Sequence, residues 1–140
     1  SFGIPRRTAN GMDYNRLNML LAIMERRLGI ECSRFDAYIN ITGGMRISEP
    51  SVDLAVLMAL LSSYRNIPIK EDIMVFGEVG LSGEVRAVSQ SKQRIEEAKR
   101  LGFRRIVLPA YHFQKDVYTS KDIELIPVKN IREALTIFKK

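Results

Sequence analysis

Tryptophan is absent from this chain, and there is one cysteine and one histidine in 140 residues. The lone Cys32 excludes an internal disulfide and suits a reducing compartment, so a cytoplasmic setting is expected. Cys32 and His112 together fall short of a structural zinc ligand set, and no metal site is expected from these residues. Long apolar runs are missing too. The longest, Leu54–Leu61, is far below the roughly 20 residues that span a bilayer, and no charged-then-apolar leader opens the sequence. No membrane partner is expected. A glycine-rich loop ending in Lys-Ser/Thr is also lacking, so the residues offer no phosphate cradle of the ATPase kind.

Hydrophobic residues at 46% and charged residues at 27% describe a folded globular chain, not a disordered one. The net charge of +6 points toward an acidic partner such as nucleic acid. It is unevenly spread. Residues 1–48 hold seven basic and four acidic groups, and residues 49–83 hold two and five. Residues 84–106 hold seven and three, and residues 107–140 hold six and four. An acidic middle between basic flanks suits a head-to-tail contact between copies, the kind that closes into rings.

Asp13 caps a predicted helix from Tyr14 to Leu28, with Leu17, Leu20, Leu21, Met24 and Leu28 on one face and Gly29 as its stop. Arg16 and Arg27 share the opposite side. Alternation from Phe35 to Ile41 predicts a strand, which Thr42-Gly43-Gly44 breaks. A second helix runs from Pro50 to Tyr64, its body apolar all round and therefore expected to be packed on several sides. Strands follow at Ile73–Phe76 and near Val85–Val88, about a turn-rich passage with Gly77, Gly80 and Gly83. A third helix spans Gln90 to Gly102, with Ile95, Ala98 and Leu101 inward and Lys92, Lys99 and Arg100 outward. Ile106-Val107-Leu108 is a buried strand, residues 110–122 read as loop, Ile123–Ile126 as a late strand, and Ile131–Phe138 as a last helix. The mixture, without repeat or linker, predicts one α/β domain over residues 1–140, with a mixed sheet and packed helices.

Few residues carry obvious chemistry. Gly43-Gly44 suits a plain turn better than a phosphate contact. A Cys32/His112 nucleophile pair is formally available but finds no support in the pattern. Ser51 lies in the first turn of a buried helix, where backbone N–H groups favour negative charge and would stabilise an oxyanion. It would need a base, and lysine is the remaining option. Spacing alone favours the simpler role of capping the helix.

Three segments carry a resemblance: Gly43-Gly44-Met45-Arg46-Ile47-Ser48-Glu49-Pro50-Ser51-Val52-Asp53-Leu54-Ala55-Val56, Gly77-Glu78-Val79-Gly80-Leu81-Ser82-Gly83-Glu84-Val85-Arg86, and Ala98-Lys99-Arg100-Leu101-Gly102-Phe103. With Pro5-Arg6-Arg7 and Asp13-Tyr14-Asn15-Arg16-Leu17, they resemble the C-terminal region of the RadA (Sms) family of bacterial DNA-repair proteins. That region is similar to the proteolytic domain of Lon protease. The resemblance implies a Lon-type α/β fold, with a zinc finger and a RecA-like ATPase upstream and a first strand just before Ser1. It places ATP, magnesium and zinc in those upstream parts and leaves residues 1–140 without a cofactor.

Against Lon's Gly-Pro-Ser-Ala-Gly, Ser51 falls on the nucleophile, and residues 77–92 put Lys92 on the partner lysine. Glu49 and Asp53 replace the flanking glycines, where carboxylates would crowd and repel an oxyanion. The implied dyad is a relic, and the implied role is a DNA-binding, ring-forming scaffold of an ATP-dependent branch-migration motor. The resemblance also implies a homo-hexamer and a recombinase partner. The alternative is an active Ser51–Lys92 peptidase. Phosphate contacts, sequence-independent by nature, are expected from Arg6, Arg7, Arg16, Arg27, Arg86, Lys92, Lys99, Arg104 and Arg105, with Arg86 projecting toward a ring's channel.

Overall fold

The computed structural model describes residues 6–40, 49–116 and 121–139. The turn expected at Thr42-Gly43-Gly44 lies outside them. The described residues up to Glu49, with Leu81–Gly83, form one compact unit, and those of Pro50–Gly80 and from Glu84 onward form a second.

The first unit is built on helix α1, Tyr14–Leu28. Its start is set by the Asp13 carboxylate, which accepts from Arg16 N–H, and its end by Gly29 at φ +70°, whose N–H returns to Glu25. Leu17, Leu20, Leu21, Ile23 and Met24 are buried, while Leu28 is half-buried. Two short parallel strands lie beside it, β1 (Arg7–Asn10) and β2 (Ala37–Asn40), with Thr8 opposite Tyr38. β1 was not expected, since Arg-Thr-Ala-Asn carries no apolar alternation. β2 is shorter than the predicted strand, because Cys32–Arg34 form a 3₁₀ turn and Phe35 is left exposed.

The second unit holds a three-stranded parallel sheet in the order β3 (Ile73–Val75), β6 (Arg105–Pro109), β7 (Glu124–Val128). Between β3 and β6 come the antiparallel pair β4 (Glu78–Val79) and β5 (Val85–Arg86) and helix α3 (Ser91–Arg100). β7 runs through Pro127 because it is an edge strand among the described residues, where a missing N–H costs no ladder bond. Phe76, Ile95, Ala98, Ile106, Leu108 and Ile123 form a buried core, flanked by Met74, Val88, Phe103 and Leu125.

Helix α2 is Asp53–Arg65, entered through a 3₁₀ turn at Pro50–Val52. It is not buried all round. Leu54, Val56, Leu57, Met58 and Leu61 are covered, but Ala59 is exposed and Ala55 and Leu60 are half-buried. Alanines can face water at little cost, so an apolar circumference overstated the packing. On α3, Ile95 and Ala98 face inward as expected, whereas Leu101 is exposed. Gly102 at φ +89° ends the helix first, and Phe103 turns back to the core with its N–H on the Ala98 carbonyl.

Residues 110–122 do not form a plain loop: Ala110–Asp116 is helix α4. It turns His112 inward and leaves Tyr111 and Phe113 exposed. The last helix, α5, covers Ile131–Ala134 and continues as a 3₁₀ helix over Leu135–Lys139. Among the described residues no helix is long and apolar enough to cross a membrane.

Candidate functional site

The start of α2 is knitted to the segment after β3. Gly77 N–H donates to the Ser51 carbonyl at 2.9 Å, Leu54 N–H to the Gly77 carbonyl at 3.0 Å, and Val79 N–H to the Asp53 carboxylate at 3.0 Å. Gly77 sits at φ +153°, and a Cβ there would lie 2.9 Å from the Val85 side chain. Glycine at this φ leaves room for the Val85 side chain to pack against the turn. Ser51 is 4% exposed and Asp53 is fully buried, its carboxylate oxygen taken by an N–H that would otherwise be orphaned.

Lys92 stands in the first turn of α3 and is exposed. It makes no hydrogen bond or ion pair among the described residues. A lysine base in a Ser–Lys dyad works in a desolvated pocket next to its serine, and the surroundings of Lys92 are solvent.

The other basic candidates divide by what their side chains already hold. Arg7 has its guanidinium on backbone carbonyls: Phe35, Arg6 at 3.1 Å and Cys32 at 2.6 Å. It is a clamp within the first unit. Arg105 is half-buried and bonds the Asp72 carboxylate at 3.2 Å. Arg86 is exposed but holds Glu84 at 3.0 Å, and Lys99 lies 4.0 Å from Asp122. Arg16 and Arg27 are half-buried on α1. Arg6 and Arg104 are exposed and are engaged through their backbones: their N–H groups donate to the Asp36 carboxylate and the Asp72 carbonyl, and their carbonyls accept from Ala37 and Glu124 N–H. Together with Lys92, these two present cations to solvent.

Cys32 and His112 are each occupied in other ways. Burial pushes the Cys32 thiol up, Glu25 adds to it, and Arg7 opposes it, the reverse of an activated nucleophile. His112 accepts at Nε2 from Val88 N–H at 2.8 Å. Among the described residues no group of His, Cys, Asp and Glu side chains could hold a metal ion.

Residues 22–139 match the Lon protease (S16) C-terminal proteolytic domain. The chain belongs to that family. It is 46% identical over 136 residues to DNA repair protein RadA of Bacillus subtilis, covering 96% of this chain and 29% of the relative. It is 42% identical over 134 residues to RadA of Escherichia coli, covering 96% of this chain and 29% of the relative. With RadA of Synechocystis it shares 40% over 137 residues, 98% of this chain and 26% of the relative. The chain therefore spans less than a third of the length of these relatives.

Within this Lon-family chain, Glu49 and Asp53 have different fates. Glu49 is exposed, whereas Asp53 is drawn into the interior as the acceptor for Val79. Sequence reasoning saw Asp53 as a repelling charge and missed its structural bond, because Val79 lies 26 residues away. It also missed Arg7 as a clamp. The Glu84–Arg86 pair had a legible signal, since residues two apart in extended backbone share a face, Glu84 lying one residue before β5. So did Glu97–Arg100, three apart on α3.

Proposed function

We propose that this chain is the DNA-binding and ring-forming scaffold of a RadA-type repair motor. The similarity to proteins named for DNA repair supports a repair role. One observation carries the non-proteolytic reading: Ser51 is buried, while Lys92, its implied base, is an exposed cation. An exposed lysine beside a helix start suits a phosphate oxygen better than it suits proton abstraction. ATP hydrolysis with magnesium, a zinc finger, branch migration and a recombinase partner belong, in this reading, to the larger assembly. The uneven charge along the chain would serve a head-to-tail hexameric ring.

The experiment is duplex binding as a function of salt, without regard to base sequence. Lys92→Glu with Arg104→Glu should weaken binding and flatten the salt dependence by about one ion per lost phosphate contact. Both side chains are exposed, so the melting temperature should hold. Arg105→Glu is a poor test, because it would set a second carboxylate against Asp72. If the double variant binds duplex as tightly as the parent at low salt, this surface is not the DNA contact and the chain serves assembly alone.

A further inference from the structure

The one histidine of the chain is buried on α4, at 6% exposure, with its ring between those of Phe76 and Tyr111 at centroid distances of 6.3 and 5.6 Å. Its Nε2 accepts the Val88 N–H at 2.8 Å. An imidazole that accepts at Nε2 is neutral and carries its proton on Nδ1. Val88 lies two residues after Arg86 on β5 and four before Lys92 on α3, and its side chain packs against the core. Arg94 holds the same stretch from the other end, with Nε on the Ser89 carbonyl at 3.0 Å and its guanidinium 6.0 Å from the Phe76 ring.

We propose that His112 is a positioning residue for the basic stretch from Arg86 to Lys92, and that protonation of its imidazole removes its hold on Val88. A proton on Nε2 takes the lone pair that receives the Val88 N–H, so donor would face donor and the bond would be lost. Val88 N–H would then be left without its acceptor, while Arg86 opposite Glu78, Arg94 on the Ser89 and Gln90 carbonyls, the Val88 side chain and buried Ser91 keep the segment in place around it. Of the elements around the ring, α3 carries Lys92, Arg94, Glu96, Glu97, Lys99 and Arg100, and α4 carries Tyr111, Lys115 and Asp116. Arg105 and Glu124 pair at the start of β6 and β7, the end of the sheet away from Pro109, which α4 follows.

The functional half of this proposal rests on the DNA-binding reading, but the bond itself does not, and the two are tested apart. In the unmodified, nitrogen-labelled chain, a through-bond coupling should join Val88 N to His112 Nε2 at the higher pH, where the ring nitrogens report a neutral imidazole, and vanish at the lower pH, once they report a second proton. Exchange of the Val88 amide should accelerate at least about tenfold over the same interval, beyond the change of other core amides. Absence of the coupling at the higher pH, or its survival once the ring is protonated, overturns the latch. His112→Phe keeps a ring but offers no acceptor, and it should weaken duplex binding several-fold at the higher pH. His112→Gln, whose amide oxygen can accept, should restore part of that loss. Duplex binding by His112→Phe equal to the parent's overturns the positioning role. If the parent binds no DNA, the DNA-binding reading fails, and the coupling and exchange decide the latch alone.

Discussion

The starts of α2 and α3 hold Ser51 and Lys92, the residues expected from the resemblance to form a dyad, and they differ in nearly every physical respect. At α2, Ser51 and Asp53 are buried, Gly77 closes against them, and three hydrogen bonds join the helix start to the segment after β3. At α3, Gln90 sits at φ +59° with no side-chain cap, and Lys92 faces water. A buried, fully bonded serine turn is a structural joint. An open, cationic helix start is a surface that an anion can reach. The contrast separates the two residues in this family member: Ser51 is built into the interior, and Lys92 faces solvent.

The largest effect should come from the core beneath the α2 start. Leu57 is fully buried, so Leu57→Ala should lower stability by about 2–5 kcal/mol in denaturant unfolding. A loss under 1 kcal/mol, by about the same scale, would mean that α2 is not the centre of its unit. Asp53→Ala is expected to cost about 1–3 kcal/mol by orphaning the buried Val79 N–H. Asp53→Asn keeps an acceptor and should recover much of that loss. If the two variants are equally unstable, the carboxylate charge matters more than the bond, and the joint has been misread.

On the α3 side the same measurement should return almost nothing. Lys92→Ala is expected to stay within about 0.5 kcal/mol of the parent, as its exposure and lack of partners require. A larger destabilisation would place Lys92 in a structural role and erase the contrast.

The smallest effect concerns Glu97 on the outer face of α3. Its carboxyl is held below the usual glutamate range, chiefly by the hydrogen bond from Arg100. The stabilisation from this pair is therefore present above the unfolded-state value and lost as the pH falls through the folded-state value. The pair is solvent-exposed, so the readout is the carboxyl's own titration by NMR. Arg100→Gln should move that titration upward, and no movement would mean that the pair does not form in solution.

Where one stretch of chain holds all the groups involved, residue order was enough. The bounds of α1 follow from a capping aspartate and a terminal glycine, both within reach of the helix they close. The family assignment was legible for the same reason, because its motifs are contiguous runs. β1 was not, since four residues of mixed polarity become a strand only when β2 lies alongside. α4 was not legible either: it follows Pro109 and carries Tyr111, His112 and Phe113 in succession with no helical stripe, and its helix depends on packing beside β6 and β7.

The candidate site divides in the same way. The sequence named Ser51 and nine basic residues, Lys92 among them, by type and motif. The tertiary structure alone decided that Arg7 would be consumed by carbonyls, that Arg105 would pair with Asp72, and that Asp53 would be buried on Val79. Burial and pairing depend on what arrives from elsewhere in the chain, and partners 25 to 33 residues apart leave no local periodicity to read.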